Sequence, residues 1–202
     1  MRITVFGAAG GVGSRVVTEA SRRGHEVVAV SRSVRDGFTV GDAGVAADVT
    51  RLSAGRDVVI GATRPVDGRE HELAATAKAL LDGVRPTGAR LLLVGGASSL
   101  TRPDGVLVQD APDFPAFLRP IALACTAQLD VVRAESEVDW TYLSPPMSLE
   151  PGTRTGAYRL GLDGLVVDGQ GNSAISLEDF AVALLDEAER PRHSRSRFTV
   201  GY

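Results

Sequence analysis

The chain has 202 residues and a formal net charge of −3, with 44% hydrophobic and 23% charged residues. This length suits one domain with a substantial core, and interspersed charges of both signs argue against a nucleic-acid surface or a basic membrane patch. The apolar runs are too short to span a membrane, and we expect no signal peptide before the first predicted strand. Cys125, the single cysteine, cannot form an internal disulfide, so we expect a cytoplasmic protein with a small-molecule partner. The three histidines lack metal-ligand spacing, so no metal is expected, and the oligomeric state, monomer or dimer, is left open.

Apolar runs typical of strands alternate with helical patterns through the first two thirds of the chain. The predicted strands cover residues 3–6, 26–31, 45–49, 57–61, 90–95 and 141–144. The predicted helices cover residues 12–23, 70–82 and 122–137. This alternation predicts an α/β fold of the Rossmann type, a doubly wound parallel sheet with crossover helices on both faces.

The last third of the chain has a different pattern. Pro145 and Pro146 end the last core strand, and short strands are predicted at 157–160, 164–167 and 197–200. Residues 176–179 resemble a capping box that begins a helix ending near Glu189. We therefore predict a single domain over 1–202. Its core covers about 1–144, and a small extension over about 145–202 completes the substrate cleft.

A glycine-rich turn directly follows the first predicted strand. Glycines at this spacing let the backbone approach a pyrophosphate closely, and the amides that begin the next helix then face the anion. A plain strand-turn-helix is the alternative, but the position between a strand and a helix favours a dinucleotide site. The residues expected to bind the dinucleotide are Gly7, Ala9, Gly10, Val12 and Gly13.

The residues after the second predicted strand indicate which dinucleotide is bound. An acidic residue there is typical of NAD binding, whereas an arginine accommodates the 2′-phosphate of NADP. Here the chain reads Ser31-Arg32-Ser33, and Arg35 follows shortly after. We therefore expect NADP(H) rather than NAD(H), with Arg32 as the main phosphate ligand and Ser31 and Arg35 beside it. Solvated loop charges are the alternative for both arginines.

Two later segments are predicted to reach the same cleft. Asp48 is expected to accept from the adenine amino group at the end of the third predicted strand, with Val49 against the ring, although a solvated loop aspartate is almost as good an interpretation. At the end of the fourth predicted strand, small residues suit close passage of the cofactor, and a simple strand end is the alternative. These small residues are Gly61, Ala62 and Thr63.

The glycine turn together with Arg32 resembles the atypical short-chain dehydrogenase/reductase superfamily in its NmrA-like branch. Residues 140–146, 155–158, 173–176 and 178–181 are similar to small NAD(P)H-binding proteins that include flavin reductase (biliverdin reductase B) and bacterial NADH-flavin reductases. The resemblance spans nearly the whole chain. It implies an NADPH-dependent oxidoreductase that transfers hydride to a flavin, FMN or FAD, or to another planar conjugated acceptor.

Most members of that superfamily use a tyrosine and a lysine four residues later to protonate a carbonyl substrate. Lys78 is the only lysine of this chain, Ala74 lies four residues before it, and all three tyrosines come later. Reduction of a ketone needs a proton donor or an oxyanion partner, whereas a flavin delocalises the new charge. The missing pair therefore agrees with a planar acceptor.

Other residues are expected around the nicotinamide and its acceptor. Ser98 is the catalytic candidate, with a loop-capping serine as the alternative. Gly96, Pro145 and Pro146 are expected to contact the cofactor. The expected substrate wall, for which ordinary packing is the alternative, consists of Phe114, Phe117 and Tyr158.

Two further functions remain compatible with these features. A non-catalytic NmrA-like NADP-binding redox sensor would also lack the pair. A sugar epimerase or dehydratase is less favoured, because such enzymes generally use the tyrosine and the lysine that this chain does not have.

Overall fold

The computed structural model describes residues 1–202 as ten strands and five α-helices. The strands are β1 Arg2–Phe6, β2 Glu26–Ser31, β3 Thr39–Val40, β4 Val58–Gly61, β5 Arg90–Val94, β6 Trp140–Ser144, β7 Ser148–Glu150, β8 Arg159–Gly161, β9 Ala174–Ser176 and β10 Ser196–Gly201. The helices are α1 Gly11–Arg22, α2 Ala46–Ser53, α3 Glu72–Val84, α4 Arg119–Arg133 and α5 Leu177–Glu189.

Eight of the strands form one sheet in the order β3-β2-β1-β4-β5-β6-β10-β8, and only β8 runs antiparallel to its neighbour. In β1, Phe6 pairs with Val30 of β2 on one side and with Gly61 of β4 on the other. The parallel strands therefore end side by side at one edge of the sheet. The predicted Rossmann-type fold is confirmed.

Two apolar cores, one on each face of the sheet, explain why the inner strands are apolar throughout. On one face, Ile3 and Val5 pack with α1 and with Phe180 of α5. On the other face, Phe6 and Tyr142 pack against α2, α3 and α4. The sheet is thus covered on both sides, and its carboxyl edge remains accessible.

The strand predicted at residues 45–49 is wrong. These residues lie at the beginning of α2, and the third strand is the two-residue β3. Val49 and Leu52 are buried three residues apart on one face of α2, which is helical spacing. A two-residue strand is too short to produce a periodic pattern in the sequence. The apolar residues 45–49, which come next in the chain, therefore resemble the third strand although they begin α2.

The extension over residues 145–202 also differs from the prediction. The strand predicted at 157–160 begins two residues later, and the one predicted at 164–167 is reduced to a single bridge between Thr101 and Gly164. β8 and β10 join the main sheet, whereas β7 and β9 form a separate two-stranded parallel sheet. The extension therefore builds one end of the main sheet as well as covering the cleft.

The other predicted helices are present with small changes at their ends. Ser176 caps α5, since its hydroxyl oxygen accepts from the Asp179 amide at 3.0 Å, as the capping box predicted. α4 begins earlier than expected because Pro120 fits the first turn of a helix, and it ends at Arg133. None of the five helices combines the length and the apolar character needed to span a membrane.

Candidate functional site

A cleft of about 1030 Å³ opens at the carboxyl ends of the parallel strands. In open α/β sheets this edge is where ligands bind, at the point where the strand order reverses. The segments that line it follow β1, β2, β3, β4, β5 and β6 in turn, and α4 closes one side. The lining residues discussed below are Gly7, Ala9, Gly10, Val12, Ser31, Arg32, Arg35, Asp42, Ala43, Ala62, Thr63, Arg64, Gly96, Ser98, Phe114, Leu118, Ile121, Cys125, Gln128, Pro145 and Pro146.

The turn after β1 has the geometry of an anion site. Gly7 has φ +76°, and a Cβ atom there would lie 2.7 Å from the Ala62 carbonyl carbon. A Cβ atom on Gly13 would lie 2.7 Å from the Gly7 carbonyl carbon, so α1 packs directly on the turn. The first turn of α1 carries neither a capping side chain nor an acidic residue. Its amides are therefore available to a phosphate.

The glycines of this turn have different tasks. Gly7, Ala9, Gly10 and Val12 line the cleft, whereas the buried Gly13 does not and instead allows close packing of α1. Substitution of either Gly7 or Gly13 would move the helix amides away from the turn.

The segment after β2 places two arginines at the rim of the cleft. Arg32 and Arg35 are both exposed and both line the cleft, and neither forms an ion pair. Ser31 is buried, and its hydroxyl oxygen accepts from the Ser33 amide at 3.4 Å. The two guanidinium groups are thus free to bind a phosphate.

Asp48 and Val49 do not lie where the sequence predicted. Because both are on α2 rather than at a strand end, Val49 is fully buried in the core and Asp48 lies outside the cleft lining. The Asp48 carboxylate is held by Arg51 at 2.8 Å and by the Asp42 amide at 3.0 Å. Those two hydrogen bonds lower the pKa of Asp48.

The chain segment that does follow the third strand was missed by the sequence reasoning. Asp42 and Ala43 line the cleft directly after β3, and the Asp42 carboxylate accepts from the Gly44 amide at 2.8 Å. In the sequence, only the Gly41-Asp42 pair directly after Thr39-Val40 indicated a turn at this point of the chain.

The end of β4 agrees with the prediction in part. Ala62 and Thr63 line the cleft, but Gly61 is buried and does not. A Cβ atom on Gly61 would lie 2.7 Å from the Leu93 side chain and 3.0 Å from that of Leu80. Gly61 therefore serves packing between β4, β5 and α3.

The loop after β5 forms the distal end of the cleft together with α4 and residues 145–147. Gly96 packs so closely on α4 that a Cβ atom there would lie 2.7 Å from the Cys125 sulfur. Ser98 is 8% exposed, and its hydroxyl donates to the Ala122 carbonyl at 3.1 Å. In this arrangement the Ser98 proton is directed at the backbone of α4. Pro145 and Pro146 line the opposite side.

Two of the three residues expected in the substrate wall lie elsewhere. Phe114 lines the cleft, but Phe117 is 81% exposed and lies outside the lining. Tyr158 lines a separate cavity of about 60 Å³, where its hydroxyl donates to Asp186 at 2.7 Å. Burial and this hydrogen bond raise the pKa of Tyr158. Tyr158 directly precedes β8, which lies at the far end of the sheet, and this position explains the error.

The wall is instead supplied by one face of α4, which the sequence reasoning treated as structural. The spacing of the residues concerned places them on one side of a helix, a pattern visible in the sequence. Gln128 is the polar member of this face. It is 2% exposed, and its side-chain oxygen accepts from the Tyr142 hydroxyl at 2.8 Å. The face consists of Ile121, Ala122, Cys125 and Gln128, and Leu118 extends it at the N-cap of α4.

Arg197 of β10 holds the loop that carries Ser98. Its guanidinium is 5% exposed and donates to the carbonyl and hydroxyl oxygens of Ser99 at 3.1 and 2.9 Å, and it also pairs with Asp163. The sequence offered no signal for this role because 98 residues separate the two partners. These hydrogen bonds from β10 hold the loop after β5 in place.

The lysine and the tyrosines occupy other environments. Lys78 lies on the exposed side of α3 and pairs with Asp82 at 2.6 Å. Tyr142 is fully buried, which raises its pKa, and Tyr202 donates to Asp179 at 2.7 Å. Burial also raises the pKa of the Cys125 thiol, to about 11. No group of His, Cys, Asp and Glu side chains is arranged to hold a metal ion.

The fold and the cleft define a dinucleotide-binding protein of the Rossmann type. A family model described as NAD(P)H-binding matches residues 7–188, and the chain belongs to this family. The resemblance to NmrA-like, atypical short-chain dehydrogenases noted from the sequence is thereby confirmed.

Solved structures similar to this chain come from several bacteria. A Burkholderia pseudomallei protein, provisionally named an exported protein, is 39% identical with a TM-score of 0.92, and the match covers 100% of both chains. A Bacteroides thetaiotaomicron protein, provisionally named an epimerase, is 38% identical with a TM-score of 0.89 over 100% of this chain and 96% of the other. A Streptococcus pneumoniae protein, provisionally named an NADH-flavin reductase, is 31% identical with a TM-score of 0.90 over 100% and 99%. These names differ, so the activity has to be argued from the cleft.

Proposed function

We propose that this protein is an NADPH-dependent oxidoreductase that transfers hydride to a flavin or another planar conjugated acceptor. Membership of the NAD(P)H-binding family and the likeness to the streptococcal protein named as a flavin reductase support an oxidoreductase. When bound, NADPH supplies the hydride, and the residues of this chain bind and orient the two reactants.

One observation carries the choice of acceptor, namely the chemistry of the distal end of the cleft. The α4 residues that line it are Ile121, Ala122, Cys125 and Gln128, and none is a general acid matched to neutral pH, since burial raises the pKa of the Cys125 thiol to about 11. The Ser98 hydroxyl donates to a backbone carbonyl. Reduction of a ketone would require such an acid to protonate the alkoxide, whereas a flavin spreads the charge and takes its proton from solvent.

The chain's own contribution is alignment. The glycine turn binds the pyrophosphate, and the rigid loop held by Arg197 positions the acceptor against the nicotinamide. Phe114 and the apolar α4 residues provide a surface for a flat ring. One hydride and one solvent proton together reduce the acceptor by two electrons.

Arg32 carries the preference for NADPH in this proposal. Replacement by alanine should weaken NADPH binding about 10- to 100-fold and change NADH binding less than about twofold, because a charge-assisted hydrogen bond to phosphate contributes about 1.5–3 kcal/mol. Titration of each nucleotide by fluorescence measures this difference. Arg119→Ala is the matched control, since Arg119 is also exposed and without an ion pair but lies outside the cleft lining. Equal affinity of the wild type for NADPH and NADH would remove Arg32 from this role.

Lys78 should be dispensable. Its side chain lies on the surface of α3, so Lys78→Ala should leave NADPH oxidation unchanged and alter the free energy of unfolding by no more than about 1 kcal/mol. Steady-state assays and urea unfolding measure both quantities. A large loss of turnover in a normally folded variant would mean that the lysine takes part in the chemistry.

The function itself is tested by NADPH oxidation with FMN, FAD, quinones and small carbonyls. Turnover with flavins or quinones but not with ketones supports the proposal. Tight NADPH binding without turnover on any acceptor would favour a redox sensor, and conversion of nucleotide sugars would favour an epimerase.

We place the activity in the cytoplasm, where the Cys125 thiol stays reduced. The similar Burkholderia protein is named as an exported protein, and cell fractionation of this protein distinguishes the two locations.

A further inference from the structure

Arg64 is a cleft residue to which no role has yet been given. It follows Thr63 after β4, it is exposed, and it lines the cleft. Most arginines of this chain are ion-paired, for example Arg23 with Glu19 and Arg90 with Glu187. Arg64 has no ion-pair partner, and its guanidinium is therefore free to bind an anion.

The path of the chain places Arg64 beyond the phosphate turn. Ala62 and the Thr63 amide pack against Gly7, so the backbone passes the turn before it reaches Arg64. The positive charge acts on Cys125 in the opposite wall, where it opposes the effect of burial on the pKa of the thiol. The Glu70 carboxylate accepts from the Gly68 amide at 2.9 Å, and this hydrogen bond lowers the pKa of Glu70, with a smaller contribution from Arg64. In the sheet β4 lies between β1 and β5, so Arg64 follows β4 between the phosphate turn and the loop after β5, at the distal end of the cleft.

The walls of the distal end of the cleft are residues 94–98, the α4 face and residues 145–147, all of them uncharged. The cleft lining also includes two carboxylates, Glu72, which pairs with Arg69, and Glu150 at the end of β7. An acidic acceptor placed there would find Arg64 as the cation at the mouth. Arginine is well suited to this, since its planar guanidinium binds phosphate or carboxylate with two parallel hydrogen bonds.

We propose that Arg64 binds an anionic group of the acceptor, so that the preferred acceptors are planar molecules bearing a phosphate or a carboxylate. This inference rests on the proposed oxidoreductase function and narrows its substrate class. Arg32 and Arg35 serve the cofactor at one end of the cleft, and Arg64 selects the acceptor at the other.

FMN and riboflavin provide the test, because they share the same ring system and differ in the phosphate. The wild type should use FMN with a kcat/KM about tenfold or more above that for riboflavin, mainly through KM. In Arg64→Ala the ratio of the two values should fall close to one, and Arg64→Lys should retain part of it. Arg119→Ala should keep the wild-type ratio. Added salt should reduce the preference of the wild type.

Two results would overturn the assignment. One is equal use of FMN and riboflavin by the wild type. The other is a rise of the KM for NADPH in Arg64→Ala with an unchanged FMN to riboflavin ratio, which would make Arg64 a ligand of the cofactor. If no acceptor is turned over at all, quenching of flavin fluorescence in the presence of NADP⁺ still compares the binding of FMN and riboflavin. Tighter FMN binding that depends on Arg64 would then support the anion site even though the proposed reaction had failed.

Discussion

Replacement of Gly7 by alanine is expected to reduce NADPH affinity at least about 100-fold and to lower the free energy of unfolding by about 2–5 kcal/mol. The positive φ of Gly7 costs a non-glycine residue about 1–2 kcal/mol. In addition, the new Cβ atom would overlap the Ala62 carbonyl, which cannot retreat because the Ala62 amide donates to Phe6 at 2.9 Å. The turn must shift, and the amides that face the phosphates shift with it. Nucleotide titration and urea unfolding measure the two effects.

Gly24 provides the matched control for this substitution. Its φ of +77° equals that of Gly7 within a degree, but nothing lies within 4 Å of a Cβ atom placed there. Gly24→Ala should therefore lose about 1–2 kcal/mol of stability from the backbone alone and bind NADPH normally. Wild-type NADPH affinity in Gly7→Ala would show that the phosphates bind elsewhere.

Removal of the Glu187 side chain is the second change with a large expected effect. Glu187 is 4% exposed and pairs with Arg90, which is itself buried, and it also accepts from the His193 amide at 3.0 Å. Glu187→Ala leaves the Arg90 charge buried without its main partner, so we expect a loss of about 3–5 kcal/mol in the free energy of unfolding. Glu26→Ala, which removes an exposed partner of Arg56, should cost about 1 kcal/mol or less.

The same pair gives the stability a predictable dependence on pH. Burial alone would raise the pKa of Glu187, but hydrogen bonds from Arg90 and His193 outweigh it and hold the pKa below the ordinary glutamate value. A carboxyl group with a lowered pKa stabilises the folded state above its unfolded pKa, and this stabilisation is lost as the pH falls through the folded value. Wild-type stability should therefore decline below about pH 4.5, and the decline should be shallower in Glu187→Ala. An identical acid slope in both proteins would contradict this account.

The sequence predicted the inner part of the fold well because local signals decide it. The strands β1, β4, β5 and β6 are almost wholly buried and β2 is half-buried, and the short apolar runs that this burial requires reveal them. The glycine turn was also visible, since a tight turn and a close helix restrict the residue type at Gly7 and Gly13. The two-residue β3 has no period to detect, and for this reason the adenine contact was predicted at Asp48, which lies on α2, and not in the segment after β3.

The far end of the cleft could not be predicted because it depends on contacts distant in the chain. Phe114 and Phe117 are three residues apart in the same loop, yet one lines the cleft and the other is exposed. Tyr158 was predicted in the substrate wall, but it directly precedes β8, which pairs with β10 at the other end of the sheet. The roles of Gln128 and Arg197 follow from their partners Tyr142 and Ser99, which the residue types alone do not indicate.

The two strands at the edges of the main sheet are its shortest, with two residues in β3 and three in β8. Edge strands carry unpaired amides and carbonyls that can recruit a second chain, and short edges limit this recruitment. β8 also carries Arg159, a charge that opposes apposition of another strand. Both ends of the sheet are thus protected against self-association. If copies of this chain assemble, we therefore expect contacts other than pairing at the edges of the main sheet.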